Sequence, residues 1–407
     1  LSVVGALIAP RPLMMCSGIK DSIFPPDGYH EVYRLTKPIY DLYAVEAGKG
    51  AAPIRDVDDD VPHQDSPKLR QEARQWFNRW LKGDSSPVER VPNPNVKRHT
   101  AKDLACLTSV PWDAANFSVH DQFVASARSP VADDFSQWKA RRQQLLAELH
   151  DKTFRWFPSQ EIPFEPITNG GHGGWLDRYG DYEDLQIQSE KDVHIRVQII
   201  KAHNRVPNTP LLIYIKRPTD NLSFVDVDEL LPVLGHCDVA MINPRLTDRL
   251  IDQQEWTNIE RTAVWSGRTI AAMQVWDVQR AIQWLKDKIP AENRRIVLFA
   301  KGEMAVPALY ASLLTPDTSQ LVVRDLPVSH NQASPLLNVL RFTDIPEVAA
   351  AFAPRRLTFL GNRPASFKLT EQVYELHETQ QALSTSASLA EALFLKYGQV
   401  SAKIFCV

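Results

Sequence analysis

Short apolar runs alternate with amphipathic helical segments through the second half of the chain, and this alternation constrains the fold more than any other feature. The runs have the length of strands, and the segments between them place apolar residues at helical spacing. Strands joined by crossover helices pair in parallel, so the sequence predicts an α/β fold with a doubly wound, mostly parallel sheet. The strand segments are VHIRVQIIKA (193–202), TPLLIYIKRP (209–218), CDVAMINPR (237–245), RRIVLFA (294–300), QLVVRDLP (320–327) and RRLTFLGN (355–362).

The beginning of the chain carries the same pattern on a smaller scale, in the order strand, helix, strand, helix. The first strand, RPLMMCSG (11–18), is a continuous apolar run, which predicts burial on both faces. A helix over 27–44 follows despite Pro38, and APIRDVDD (52–59) is the second strand. The last helix begins after the N-cap Ser66 and ends at Gly83. The two strands are predicted to be parallel.

Two polar residues follow these strands, at the positions where open α/β sheets place their chemistry. Asp21 comes just after the first strand and His63 just after the second. A carboxylate followed by a histidine is the order of the last two catalytic residues in hydrolases whose serine lies on a strand-to-helix turn. There the imidazole takes the serine proton, and the carboxylate orients the imidazole. The structural alternative is that Asp21 caps a turn and His63 is a surface loop residue.

The segments around these residues resemble the acetylxylan-esterase-like branch of the α/β-hydrolase superfamily. The similarity lies in APRPLMMCSGIKDSIFPPDG (9–28) and in DDVPHQDSPKLRQEARQWFNRWLKG (59–83). In that family the acid stands in a Lys-Asp-x-x-Phe-Pro context, and the base stands in a His-x-Asp-Thr/Ser-Pro context. The resemblance implies that Asp21 is the triad acid and His63 the triad base of a hydrolase that needs no cofactor.

In the family a nucleophile on a Gly-x-Ser-x-Gly turn precedes the acid strand, and no such turn precedes Asp21 in this sequence. We therefore expect the nucleophile to lie outside this segment and the first domain to be truncated at its N-terminus. Ser266, in WSGRT (265–269), stands before a glycine but follows no apolar strand. It is interpreted as a contact in a loop or at a helix N-terminus.

Residues 100–385 resemble the same esterase branch, but the triad positions have changed. The turn where the family has Gly-x-Ser-x-Gly is AKGEM (300–304), with Gly302 in the place of the serine. Glycine has no side chain that could attack a carbonyl carbon. The acid position corresponds to Asn362, and the closing SAKIFCV (401–407) contains no histidine. The resemblance therefore implies a second domain that keeps the fold without the triad.

Two tandem domains of the α/β-hydrolase type, the first incomplete, are the organisation that we predict. Residues 1–84 would be the C-terminal part of a catalytic domain, and residues 104–407 a degenerate sister domain. Between them, 85–103 is rich in proline and poor in apolar residues, which is typical of a linker.

Composition narrows the range of partners. The formal net charge is −3 with both signs dispersed, so a nucleic-acid partner is not expected. The apolar runs are too short to cross a bilayer, so a membrane partner is not expected either. The acidic loop DVDDDVPHQD (56–65) lacks the glycine and closing glutamate of a calcium loop, and no metal site is predicted.

The function that follows is hydrolysis of carboxylic esters by a Ser-Asp-His mechanism. The resemblance implies an acylated carbohydrate of the xylan type, carrying acetyl or related acyl groups, as the substrate. Polysaccharide substrates would place such an enzyme outside the cell or in the periplasm. Two alternatives stay open: a non-catalytic scaffold or binding module that retains the fold, and a serine peptidase of the prolyl-oligopeptidase type.

Overall fold

A computed structural model describes residues 1–46, 53–90, 99–119, 123, 127, 133–160, 162–220, 229–288 and 295–394. The chain divides into two compact units, Leu1–Ala114 and Ala115–Val407. No helix in these described ranges is both long and apolar enough to cross a membrane.

The first unit contains two parallel strands and the helices around them. Strands β1 and β2 pair with Leu13 opposite Ile54 and Gly18 opposite Asp59, so the predicted parallel arrangement is confirmed. Its elements are α1 (Ser2–Ala6), β1 (Leu13–Gly18), α2 (Pro26–Glu46), β2 (Ile54–Asp59), α3 (Pro67–Lys82) and α4 (Ala101–Leu104).

Local sequence signals define the helices of this unit. The hydroxyl of Ser66 accepts a hydrogen bond from the Leu69 N–H at 3.1 Å, and Gly83 ends α3 with a left-handed φ of 70°. Helix α2 continues through Pro38, as predicted. The prediction that β1 is buried on both faces is wrong. Residues 13–17 of β1 are half-buried or exposed, because β2 is its one strand neighbour among the described residues.

The second unit is built on one nine-stranded sheet in the order β11-β10-β9-β8-β6-β7-β5-β4-β3. Its strands are β3 (Ile167–Thr168), β4 (Gly180–Glu190), β5 (Val193–Ala202), β6 (Leu211–Ile215), β7 (Val239–Asn243), β8 (Ile296–Lys301), β9 (Thr318–Arg324), β10 (Arg356–Leu360) and β11 (Leu383–Ser386). Its helices are α5 (Phe135–Glu148), α6 (Gln253–Trp265), α7 (Ile270–Lys286), α8 (Ala305–Leu314), α9 (Ile345–Ala350), α10 (Lys368–Leu376) and α11 (Leu389–Phe394).

The sheet is mixed, which refines the prediction of a mostly parallel sheet. Every pair from β7 through β6, β8, β9 and β10 to β11 is parallel, whereas β3, β4 and β5 pair antiparallel with their neighbours and with β7. All six predicted strands are present. Three strands were not predicted: the short β3 and β11, and β4, whose first residues belong to the glycine-rich stretch NGGHGGWLDRYGDYED (169–184).

The parallel strands are buried on both faces, as their apolar runs predict. Along β6, Ile213 and Ile215 pack into one apolar cluster and Leu212 and Tyr214 into a second one on the opposite face. Side chains of α7, α8, α9 and α10 complete the first cluster, and those of α11 contribute to the second.

A buried ion pair fixes α7 against the end of β7. The carboxylate of Asp277 is fully buried and accepts three hydrogen bonds from Arg245, at 2.9 Å from its N–H, 2.8 Å from Nε and 2.6 Å from Nη2. The hydroxyl of Ser189 also donates to this carboxylate. Glu190 lies 2.8 Å from the Arg245 Nη2 as a second acid.

We expect Asp277→Asn to lower the free energy of unfolding by about 3 kcal/mol, because it removes a charge that neutralises a buried guanidinium. Glu255→Gln is the matched control, since the Arg249–Glu255 pair is exposed and should contribute no more than about 1 kcal/mol. Urea unfolding of both variants measures the difference. An equal effect of the two substitutions would show that Glu190 alone neutralises Arg245.

Candidate functional site

The parallel register of β1 and β2 brings the two predicted site residues together. Gly18 and Asp59 lie opposite each other as the last residues of their strands. Asp21 follows three residues after Gly18, and His63 follows four residues after Asp59. Because the carboxyl ends of parallel strands meet at the same sheet edge, both side chains lie in adjacent loops there.

Asp21 and His63 form a direct hydrogen bond. The Nδ1 of His63 lies 2.7 Å from Oδ2 of Asp21. The other carboxylate oxygen accepts the N–H groups of Ile23 at 2.8 Å and Phe24 at 3.2 Å. The Asp21 side chain is 6% exposed, whereas that of His63 is 61% exposed. Asp21 therefore caps a turn, as the structural alternative holds, and also holds the imidazole.

The surroundings of Asp21 favour its charged form. Burial by itself would raise the pKa of this carboxyl, but hydrogen bonds from His63, Ile23 and Phe24 outweigh burial and lower the pKa below its ordinary value of 3.8. An ionised carboxylate at Nδ1 keeps the proton of a neutral imidazole on that nitrogen. The lone pair of Nε2 is then available to accept a proton.

A close backbone approach at Gly18 positions the loop that carries His63. A Cβ placed on Gly18 would lie 2.4 Å from the carbonyl oxygen of Val61 and 2.8 Å from that of Pro62. The same loop is held by the N–H of Lys20, which donates to the Val61 carbonyl at 3.1 Å. A side chain at position 18 would therefore displace the backbone next to His63.

A cavity of about 840 Å³ adjoins this pair within the first unit. Asp21 and His63 line it together with residues of α1, β1 and α2, and most of its other lining side chains are apolar. The ring of Phe24 lies against the His63 imidazole, with 5.7 Å between ring centroids. Among the described residues, no hydroxyl is hydrogen-bonded to Nε2 of His63. The pair thus has the geometry of an acid and a base without a nucleophile bound to it.

The acidic loop beside this site contacts two nearby basic side chains. His30 Nδ1 lies 2.9 Å from Asp56 Oδ2, and Lys20 Nζ lies 2.8 Å from Asp60 Oδ2. Within the described ranges, no group of three or more histidine, cysteine or acidic side chains is arranged to hold a metal ion.

The second unit has a strand-turn-helix geometry at AKGEM (300–304), the turn that the resemblance aligned with the family's nucleophile. Gly302 follows β8 directly, has a left-handed φ of 56°, and leads through a short 3₁₀ turn into α8. A Cβ there would contact the Arg217 side chain at 3.7 Å. The turn therefore has the shape of a nucleophile elbow but presents no nucleophilic side chain.

The resemblance aligned two further positions of this unit with triad residues, and the structure describes one of them. Asn362 is exposed after β10, and the residues that separate β11 from α11 are Ala387 and Ser388. The closing segment 401–407 lies outside the described residues. Ser266 ends α6, and its hydroxyl donates to the Ala263 carbonyl at 2.7 Å, so it is a contact at a helix C-terminus rather than at an N-terminus.

A cluster of charged side chains, which the sequence patterns did not predict, lies beside the Gly302 turn. Asp220 accepts from Arg217 Nη2 at 2.8 Å and from the Tyr214 hydroxyl, and it lies 3.8 Å from Lys301 Nζ. Glu229 lies 3.8 Å from the same ammonium. Within the motif AKGEM, Lys301 is the residue that could have indicated this cluster.

Comparisons with known proteins identify fold relatives but no sequence family. No family model matches the sequence, and no curated protein matches it. A candidate acetyl xylan esterase from Bacteroides fragilis superposes with a TM-score of 0.52 at 12% identity, covering 69% of this chain and 84% of that one.

Two further solved structures superpose with lower scores. A glucuronoyl esterase from Solibacter usitatus has a TM-score of 0.45 at 12% identity, over 61% of this chain and 82% of that one. An acetyl xylan esterase from Paenibacillus sp. R4 has a TM-score of 0.41 at 11% identity, over 63% of this chain and 89% of that one. At these identities, the Bacteroides structure establishes a shared α/β fold.

We predict that Gly18→Ala destabilises the first unit by about 1–3 kcal/mol, because the added methyl group overlaps two carbonyl oxygens. Gly28→Ala is the control: it lies in α2, where a Cβ meets nothing within 4 Å, so its effect should stay within about 1 kcal/mol. Hydrogen exchange of peptides covering β1 and the His63 loop localises the effect. Equal protection of both variants would contradict the close approach.

The lowered pKa of Asp21 predicts a stability difference that depends on pH. The folded carboxyl has a lower pKa than the unfolded one, so its contribution is present above the ordinary value of 3.8 and is lost as the pH falls through the folded value. The stability advantage of the wild type over Asp21→Asn should therefore shrink as the pH falls from about 6 to 3. Urea midpoints across this range test it, and a constant difference would contradict the role of charge.

Proposed function

We propose that this chain supplies the acid and the base of a serine-dependent carboxylic ester hydrolase, in which Asp21 orients His63. The observation that carries the proposal is the 2.7 Å hydrogen bond between a buried carboxylate and an exposed imidazole at the carboxyl edge of parallel strands. The nucleophilic serine would belong to sequence outside residues 1–407, which accords with the absence of a bonded hydroxyl at His63 in the described residues.

In the proposed reaction, Nε2 of His63 removes the proton of the serine as its oxygen attacks the ester carbonyl. Asp21 holds the Nδ1 proton and stabilises the imidazolium that forms. His63 then gives the proton to the departing alcohol, which leaves an acyl-serine. A water molecule, deprotonated by His63, releases the acid and restores the serine. Backbone N–H groups near the serine would stabilise the oxyanion.

The proposed substrate is an acylated carbohydrate, with acetyl or a related acyl group on a xylan-type polysaccharide. Its support is the resemblance of segments 9–28 and 59–83 to acetylxylan esterases, together with the fold shared with the Bacteroides structure. A peptidase of the prolyl-oligopeptidase type would use the same order of residues. Hydrolysis of ester but not peptide substrates separates the two.

For the second unit we propose a non-catalytic role. In this proposal residues 104–407 form a degenerate domain of the α/β-hydrolase type, joined through 85–103 to the catalytic part in 1–84. Gly302 at the turn and the exposed Asn362 after β10 support it, because neither can take the role of the triad residue in that place. The unit would then act through its shape, as a packing partner or a binding module.

We expect His63→Ala, in the complete polypeptide that carries this chain, to lower kcat/KM for p-nitrophenyl acetate by about 10²–10⁴-fold. His30→Ala is the matched control, because His30 also pairs with a carboxylate through Nδ1, at 2.9 Å from Asp56, but follows no strand end. This control should retain wild-type activity.

A serine-directed fluorophosphonate followed by mass spectrometry locates the nucleophile in the same experiment. A labelled serine outside residues 1–407, with activity that depends on His63, is the expected result. A label on a serine within 1–407 would contradict the proposed position of the nucleophile. Absence of both label and hydrolysis would favour the non-catalytic alternative for the whole chain.

A further inference from the structure

A lysine ends the strand β6 at the carboxyl edge of the sheet in the second unit. Lys216 follows β6 directly, and its N–H donates to the carbonyl of Ile242 in β7 at 2.9 Å, so the parallel ladder extends to this residue. The next two strands along the chain, β7 and β8, pair on opposite sides of β6. The end of β6 is therefore a topological switch point, where open α/β sheets bind ligands.

The side chain of Lys216 is buried without a partner in the described part of the chain. The residue is 6% exposed, and no hydrogen bond or ion pair to Nζ is formed there. Lysine is rarely buried in this way, because an ammonium group loses its hydration on burial. The Nζ of Lys216 is not one of the fully covered unpartnered atoms of the described residues, so it keeps a small accessible surface.

The two acids whose charges act on Lys216 are already paired with arginines. Asp220 accepts from Arg217 Nη2 at 2.8 Å and Nε at 3.1 Å, and Asp184 accepts from Arg196 Nε at 2.9 Å. Each arginine therefore neutralises one acid. The positive charge of Lys216 is left without a counter-ion among these groups.

The surroundings of Lys216 disfavour its charged form. Burial lowers the pKa of this amine, and the Arg196 guanidinium lowers it further, whereas Asp220 and Asp184 act in the opposite direction without cancelling the effect. A negative charge added beside Nζ would stabilise the ammonium. The site thus favours an anion on electrostatic grounds as well as by its unused donors.

The charge balance around Lys216 selects the kind of anion. One carboxylate carries one negative charge and matches the single uncompensated ammonium. A phosphate group carries about 1.5–2 negative charges near pH 7, and the carboxylates of Asp220 and Asp184 would repel the excess. The small accessible surface of Nζ also favours a small, planar acceptor group. A carboxylate is therefore the group that fits.

We propose that Lys216 anchors a binding site for a small organic carboxylate at the carboxyl edge of the second unit's sheet. The carboxylate accepts hydrogen bonds from the ammonium and supplies its missing counter-ion. The inference rests on the binding-module role proposed for the second unit and gives that role a ligand class. It does not depend on Asp21 or His63, and its test measures binding rather than hydrolysis, so the two proposals can fail separately.

Titration of the full chain with acetate, followed by saturation-transfer NMR of the ligand, tests the proposal. We expect saturable acetate binding, and about tenfold weaker binding of acetamide, which has a similar shape but no charge. Inorganic phosphate should also bind more weakly than acetate. Lys216→Met should weaken acetate binding by about tenfold. This variant is expected to fold, because it replaces an unpaired buried charge with an apolar side chain of similar length.

Lys201→Met is the matched control, because Lys201 belongs to β5 of the same sheet but is exposed and pairs with Glu183. It should bind acetate like the wild type. Absence of saturable acetate binding would overturn the proposal, and so would equal binding by the wild type and Lys216→Met. Equal binding of acetamide or phosphate by the wild type would overturn the assignment to a carboxylate, and this comparison needs no variant that could fail to fold.

Discussion

The in-register parallel pairing of β1 with β2 is the constraint on which the candidate site depends. Because Gly18 lies opposite Asp59, the residues that follow each strand leave the sheet side by side. A shift by one residue would send the side chains of β2 to the opposite face and separate the two loops. The contact between Asp21 and His63 is thus a consequence of backbone pairing, completed by the close approach that Gly18 allows.

The two units show that the geometry and the chemistry of a site are separable. At the Gly302 turn, a residue with left-handed backbone joins β8 to α8, and this shape is present without a hydroxyl. Beside the turn, Asp220 neutralises Arg217 at 2.8 Å, so charged side chains there satisfy one another. At the end of β1, by contrast, one side chain keeps a nitrogen without a bonded partner in the described residues. Asp21 leaves an imidazole exposed whose second nitrogen has no bond in the described residues.

Sequence patterns predicted those elements whose signals are local. The apolar runs identified the parallel strands, and Ser66 and Gly83 identified the two ends of α3. The antiparallel half of the sheet was not predicted, since periodicity indicates a strand but not the direction of its partner. β11, with the sequence LSTS, is too short and too polar to give a signal. The half-buried state of β1 depends on the number of neighbouring strands, which its own residues do not encode.

The candidate site was predictable in its residues but not in its contacts. Asp21 and His63 could be chosen because they follow strand ends in the order acid, then base. The distance between their side chains could not be predicted, because it depends on the backbone contact between position 18 and the carbonyls of Val61 and Pro62.

A second histidine–carboxylate pair in the same unit can be compared with the pair for which we propose proton transfer. His30 and Asp56 lie 2.9 Å apart, and the imidazole is half exposed, so distance and exposure alone do not distinguish them from His63 and Asp21. One difference is that Nε2 of His30 lies 3.7 Å from Oδ2 of Asp58. A second difference lies in the carboxylates. Oδ1 of Asp56 is buried without a partner in the described structure, whereas Oδ1 of Asp21 is held by two backbone N–H groups.

That second set of hydrogen bonds fixes the plane of the Asp21 carboxylate. A carboxylate fixed in this way keeps the imidazole in one orientation while Nε2 gains and loses a proton. A carboxylate held by the histidine alone can rotate with it. Pre-organisation of this kind is what a general base requires, because the reacting atoms need no further ordering at the moment of transfer. The two backbone bonds to Asp21 are therefore as much a part of the proposed mechanism as the bond to His63.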